Sequence, residues 1–212
     1  MMLQNSSDDQ AHYDELIARQ IDQYKETEIM HDLSPIYNYV SKKYIAPRSE
    51  AVTGCSGVID FYGNYFIKSL KESGSKFLIS VGSGDCSLEI DIVKYMIGRN
   101  VNEFFFNCLE LSPILISKAR KRITEEGLEN TINVLQTDIN KWTPEYRFAG
   151  VMAHHSLHHF LSLESLFELI KKNLAPKGRF VTCDIIGRNG HMRWPEALDL
   201  TRKIWQRMPA KY

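Results

Sequence analysis

An α/β fold with a doubly wound, Rossmann-like and mostly parallel sheet follows from three features of this 212-residue sequence. Short apolar runs alternate with amphipathic helical stretches from residue 76 onward, a Gly-Ser-Gly turn stands directly after the first run, and an acid ends the second. Strands alternating with helices of about 10–15 residues make βαβ units. Their right-handed crossovers lay helices on both faces of a parallel sheet. The expected strand order is 3-2-1-4-5, with a ligand crevice at the carboxyl ends of strands 1 and 4, where the order reverses.

The elements follow in order. "KFLISV" (76–81) is an apolar β run, and "CSLEIDIVKYMI" (86–97) is an amphipathic helix. "EFFFNCLEL" (103–111) is the second strand, and "PILISKARKRITEEG" (113–127) is a helix closed by Gly127. "TINVLQ" (131–136) and "RFAGVMA" (147–153) are the third and fourth strands. "LESLFELIKKNLA" (163–175) is a helix, and after a turn at Pro176-Lys177-Gly178 comes the fifth strand, "GRFVTCDII" (178–186). The stretch "RWPEALDLTRKIWQRM" reads as a last helix. No β run remains for further strands, so the fifth strand is expected to be an edge. Its cover would be a second copy of the chain, a further C-terminal segment, or the chain's own N-terminal segment.

Upstream, Leu16, Ile17, Ile21 and Tyr24 recur at helical spacing, as does a second apolar series from Ile59 to Leu70. Between them lies "HDLSPIYNYVSKKYIAP", punctuated by Pro35 and Pro47, and then a loop, "EAVTGCSG". Residues 1–72 are therefore expected to be a helical cap and 73–212 the core. His31, Tyr24, Tyr37, Tyr39 and Tyr44 give the cap more aromatic and imidazole groups than a solvated linker needs. A lid that forms part of a substrate wall is the functional reading, and a cap packed on the sheet the bland one.

Composition narrows the classes. Hydrophobic residues make up 43% of the chain, enough for a sizeable core, and 26 basic residues balance 26 acidic ones at a pI near 7.0. That balance gives no global reason to bind nucleic acid or an anionic membrane. The basic clusters at Lys42-Lys43 and Arg120-Lys121-Arg122 read as solvated helix faces. Cys55, Cys86, Cys108 and Cys183 form no CxxC pair, and Cys108 and Cys183, in apolar runs, are expected to be buried thiols. A reducing, cytoplasmic setting is expected. "MMLQNSSDDQ" is too polar for a signal peptide, and no apolar run approaches the roughly 18 residues that span a bilayer.

The site candidates cluster at strand ends. In "SVGSGDCSLEI" (80–90), Gly82 and Gly84 let the backbone adopt unusual dihedrals and let a ligand approach closely. A dinucleotide fingerprint wants a third glycine where Ser87 stands, which counts against an NAD oxidoreductase. Glu110 is placed to accept hydrogen bonds from a ribose diol, a feature that NAD enzymes and methyltransferases share. Asp138, after the third strand, can accept one from an adenine amino group. The bland alternatives are an exposed strand-end acid for Glu110 and a turn or helix-cap residue for Asp138.

"FLISVGSGD", "LELSP", "QTDI", "HHSLHHF" and "LAPKGRFVTCDI", in that order over about residues 76–186, resemble the class I S-adenosylmethionine-dependent methyltransferases. The resemblance implies binding of S-adenosylmethionine, with S-adenosylhomocysteine as product. It places Gly82 and Gly84 under the methionyl part and ribose, and counts Val81, Ser83 and Asp85 among the cofactor-binding residues. Glu110 would take the ribose hydroxyls, Asp138 the adenine amino group and Ile139 one face of the ring, with Leu111 and His154 also counted as cofactor-binding. It also leads one to expect two strands beyond the fifth. Ser80 departs from the pattern where an acid is frequent, and Cys86 where a third glycine is. The first change raises the question of what neutralises the cofactor's ammonium group, with Asp85 as a candidate.

Four of the seven histidines fall in "MAHHSLHHF": His154, His155, His158 and His159. If the stretch were helical, His154 and His158 would share a face and could chelate zinc. The scattered cysteines supply no further ligands, and there is no Glu of the metalloprotease kind. No metal is therefore expected. Lining of the pocket, or general base catalysis by His155 or His158, are the two readings kept. The acceptor is expected to be a small molecule or glycan hydroxyl or amine. The loop lacks the Asn/Asp-Pro-Pro-aromatic signature of amino-group methylases acting on DNA and glutamine. Two alternatives remain: a Rossmann-type NAD oxidoreductase, and a methyltransferase-like scaffold that binds without turnover.

Overall fold

The computed structural model describes residues 7–23, 35–160, 162–184 and 194–208. Five strands form one parallel sheet in the order β3-β2-β1-β4-β5: β1 (Phe77–Val81), β2 (Phe105–Glu110), β3 (Ile132–Gln136), β4 (Phe148–His154) and β5 (Leu174–Cys183). This is the order expected from the alternating pattern. The helices are α1 (Ser7–Gln23), α2 (Pro35–Val40), α3 (Ala46–Thr53), α4 (Val58–Ser73), α5 (Ser87–Ile97), α6 (Pro113–Glu125), α7 (Leu163–Asn173) and α8 (Pro195–Trp205). Among the described residues, no helix is long and apolar enough to cross a membrane.

One face of the sheet is closed by α4, α5 and α6, where Tyr62, Phe66, Val93, Met96, Ile116 and Ile123 are buried. The middle of β4 is a glycine for a packing reason. A Cβ on Gly150 would stand 2.7 Å from the Phe66 ring, which packs edge-on against Phe106 at 5.5 Å. On the other face Ile79, Val81, Leu109 and Val151 meet α7 through Leu166 and Ile170. Trp142, stacked on Phe148, adds to that face.

Three expectations are corrected. The turn at Pro176-Lys177-Gly178 is not the start of β5 but a register shift within it. Pairing passes from Phe148↔Leu174 to Gly150↔Arg179, with Lys177 at φ 62°. Residues 50–53 of "EAVTGCSG" are helical, the last turn of α3, which ends at the left-handed Gly54. Cys183 is exposed, unlike Cys108, because it ends the edge strand rather than sitting in the middle of the sheet. Beyond it, residues 185 and 186 lie outside the described residues.

Of the aromatic cap residues, Tyr24 and His31 lie outside the described residues. Tyr39 and Tyr44 are exposed and gathered around Lys43, whose Nζ donates to the Tyr39 hydroxyl at 2.6 Å. Neither α3 nor the turn of π-helix before it (Ser41–Ile45) buries a residue. From α1, Tyr13 reaches Asp138 beyond β3, and from α4, Tyr62 reaches the end of β4.

Candidate active site

The chain leaves β1 through Gly82 (φ 70°), Gly84 (φ 59°) and Cys86 (φ 59°), all left-handed. Backbone N–H groups of Gly82 and Ser83 donate to the Leu109 carbonyl at 2.9 and 3.2 Å, tying the turn to β2. Gly82 also faces the loop after β4. A Cβ there would lie 2.8 Å from Ser156 Cβ, and the buried Ser156 hydroxyl donates to the Val81 carbonyl at 2.7 Å. The absent side chain thus lets the two loops that define the crevice meet. Between the two glycines, Ser83 Oγ is buried and has no hydrogen-bond partner among the described residues. An orphaned hydroxyl of this kind calls for a partner from outside the chain.

Glu110, at the end of β2, accepts three backbone hydrogen bonds: from Gly84 at 2.9 Å, and from Leu111 and Ser112 at 2.8 Å each. A carboxylate has about four acceptor sites, so capacity remains. Burial pushes this carboxyl up, and the three donors pull it partly back. Asp85 is buried and differently engaged, accepting from the Ser87 hydroxyl at 2.7 Å and pairing with Arg122 at 3.3 Å. Arg122 is therefore an ion-pair partner at the turn rather than only part of a solvated face. Ser87, the position that spoils the dinucleotide fingerprint, helps start α5.

Glu89 was missed by sequence reasoning. It is fully buried on α5, and the Ser80 hydroxyl donates to its carboxylate at 2.6 Å. Burial pushes its carboxyl up to about 7 against the pull of that bond. Where β1 lacks an acid at Ser80, a carboxyl arrives at the same place from the helix. The signal was available, since Glu89 shares the inward stripe with Val93 and Met96.

At the third strand, Asp138 opens a short 3-10 turn by accepting from Lys141 N–H. It also accepts from the Tyr13 hydroxyl of α1 at 2.7 Å. Ile139 beside it is buried, and Lys141 pairs with Asp14 at 3.1 Å. Tyr13 lies 125 residues away in sequence, and nothing in the chain's pattern announced the contact.

The histidine segment is not one helix. His154 ends β4, His155 takes a left-handed conformation (φ 48°), and Leu157–His159 is a single 3-10 turn. The pairs four apart therefore do not share a helical face. His158 turns inward, its Nδ1 2.9 Å from Asp184 Oδ1, while the other oxygen of Asp184 accepts from Leu157 N–H at 2.8 Å. His154 lies edge-on to the buried Tyr62 ring, with Nδ1 3.4 Å from its hydroxyl. Among the described residues, His154, His155 and Cys183 bring potential ligand atoms within 4.8 Å of one another. The site therefore divides into a wired turn at β1 and β2 and a cluster of titratable groups at β4 and β5.

The profile of the family described as "Methyltransferase domain" matches residues 72–208, more than half of the chain, and the chain belongs to that family. No curated protein matches it in sequence. Solved structures are similar in fold. The [4+2]-cyclase SpnF is 17% identical, with a TM-score of 0.49 over 59% of this chain and 44% of that one. The glycopeptide N-methyltransferase MtfA, solved with S-adenosyl-L-methionine, is 18% identical, with a TM-score of 0.45 over 57% and 52%. A putative S-adenosyl-L-methionine-dependent methyltransferase from Methanococcus maripaludis is 20% identical, with a TM-score of 0.48 over 81% and 72%. The chain thus spans about half the length of the first two.

Proposed function

We propose that this chain binds S-adenosylmethionine and transfers its methyl group to a hydroxyl or amine of a small molecule or glycan, in a cytoplasmic setting. The observation that carries the reading is the unpartnered, buried Ser83 hydroxyl, held between two left-handed glycines beside Glu110. A ligand with polar groups at the carboxyl ends of β1 and β2 would satisfy it, and family membership supports S-adenosylmethionine as that ligand. The family also sets aside the NAD oxidoreductase alternative.

When bound, S-adenosylmethionine supplies a methyl carbon already activated by its sulfonium leaving group. The chain then has to bind, align and exclude water. Gly82 and Gly84 keep the turn close to the strand ends, Glu110 would accept from the ribose hydroxyls, and Asp138 with Ile139 would take the adenine. Helix α1, anchored by Tyr13 on Asp138, is positioned to cover that end. His158 removes the acceptor proton, with Asp184 holding the ring through Nδ1 so that Nε2 is the accepting nitrogen.

The test is transfer of label from methyl-labelled S-adenosylmethionine to any component of a cell extract. A labelled product that disappears with His158→Gln supports the reading. Tight cofactor binding with no product from any extract would favour the silent scaffold.

A further inference from the structure

We propose that His154, His155 and Cys183 form a binding site for a zinc-class divalent cation. Three independent features of the strand ends converge on it. First, His154 and Cys183 are register partners across β4 and β5, so their side chains leave the same face of the sheet side by side. Second, consecutive residues of a strand normally point to opposite faces, and His155 escapes that rule. Its left-handed backbone (φ 48°) turns the chain, and its ring stands 4.5 Å from that of His154, centroid to centroid. A hydrogen bond from His155 N–H to the Cys183 carbonyl, 3.0 Å, pins the turn to β5. A positive φ at a residue other than glycine is costly and concentrates at functional sites.

Third, the outer contacts suit a ligand histidine. The buried Tyr62 hydroxyl reaches both the Ala153 carbonyl at 3.2 Å and His154 Nδ1 at 3.4 Å. The hydroxyl donates its proton to that carbonyl. With this proton given to the Ala153 carbonyl, Nδ1 carries its own hydrogen and Nε2 the lone pair, the tautomer that binds a metal. The Thr182 hydroxyl also donates to the Ala153 carbonyl, at 2.8 Å, fixing the end of β4 against β5.

The potential ligand atoms lie within 4.8 Å of one another. Zn–N near 2.0–2.1 Å and Zn–S near 2.3 Å in a tetrahedron put neighbouring ligands roughly 3.4–3.6 Å apart, a closure of about 1 Å. His155 and Cys183 are exposed, so closing needs only side-chain rotation. Two imidazoles and a thiolate are borderline-soft donors that favour zinc over magnesium or calcium. Binding displaces the Cys183 thiol proton to solvent. Three protein ligands leave a fourth position for water or for a heteroatom of a bound molecule, the arrangement of reactive rather than structural zinc sites. The expectation of no metal rested on scattered cysteines, and the fold brings one of them to the histidines.

The test titrates the full chain first with Co²⁺ and then with Zn²⁺, without cofactor or acceptor. The expected result is one equivalent of Co²⁺ giving a thiolate-to-cobalt charge-transfer band that stoichiometric Zn²⁺ bleaches. Cys183→Ser should abolish the band with the circular dichroism unchanged. His155→Ala should weaken binding by more than the roughly 10–100-fold typical of losing an outer partner, and Tyr62→Phe by a factor within that range. His159→Ala should leave the band as it is. Absence of the band in the unsubstituted chain, its persistence in Cys183→Ser, or unaltered affinity in His155→Ala would each overturn the site.

Discussion

The two ends of the crevice are made by different means. At β1 and β2 the backbone does the work: left-handed glycines, amides on the Leu109 carbonyl, and a carboxylate held by three N–H groups. At β4 and β5 side chains do it, through the His158–Asp184 pair and the rings around Tyr62. A backbone-built end is suited to a fixed ligand, because it changes little when side chains vary. A side-chain-built end can change its chemistry with a few substitutions, and it is the end to which the proposal assigns proton transfer.

Substitutions that affect one end and spare the other sharpen this contrast. The largest effect is expected at the β4–β5 end. His158→Gln or Asp184→Asn should lower the methyl-transfer rate for a hydroxyl acceptor by roughly 10²–10⁴-fold, the range for general base catalysis. Affinity for S-adenosylhomocysteine, measured by calorimetry, should not change. A parallel loss of cofactor affinity would mean that the two ends are not separate.

The joint between the ends comes next. Gly82→Ala puts a Cβ against Ser156 and forces an alanine into φ 70°. The backbone alone should cost about 1–2 kcal/mol, and the clash adds to it in urea denaturation. In a Ser156→Gly background, which itself loses the bond to the Val81 carbonyl, Gly82→Ala should cost only the backbone part.

Glu89 tests the electrostatics of the β1 end. Its carboxyl is raised from an ordinary value of 4.5 to about 7, so the folded chain holds that proton more tightly than the unfolded one. This contribution to stability is complete below about pH 4.5 and is lost as pH rises through about 7. Glu89→Gln should flatten the decline across that window, read from urea midpoints at a series of pH values. An unaltered pH profile would remove Glu89 from the account. The smallest effect on the site is expected from Tyr13→Phe, which removes one hydrogen bond from α1 to the Asp138 carboxylate. Faster hydrogen exchange across residues 7–23 is the expected readout.

The contrast also explains what could be read from the sequence. The turn at Gly82 and Gly84, Glu110 at a strand end and the alternation of elements are local patterns, and local chemistry dictates them. Asp184 and Cys183 become partners of the histidines only through the pairing of β4 with β5. That register is shifted by the irregularity between Leu174 and Arg179, which looked like a strand boundary. The aromatic run around Tyr39 and Tyr44 suggested a wall, yet those rings are exposed, and the contact with Asp138 comes from Tyr13. Such contacts depend on how distant segments dock, which periodicity does not encode.

The central claim is that the β1–β2 end holds the cofactor through Glu110. Calorimetric titration of S-adenosylhomocysteine into the unsubstituted chain and into Glu110→Ala tests it most directly. The account predicts one site in the first and a loss of roughly 1.5–3 kcal/mol in the second, the range for hydrogen bonds to a charged group. No binding by the unsubstituted chain, or equal affinity in a folded Glu110→Ala variant, would contradict it.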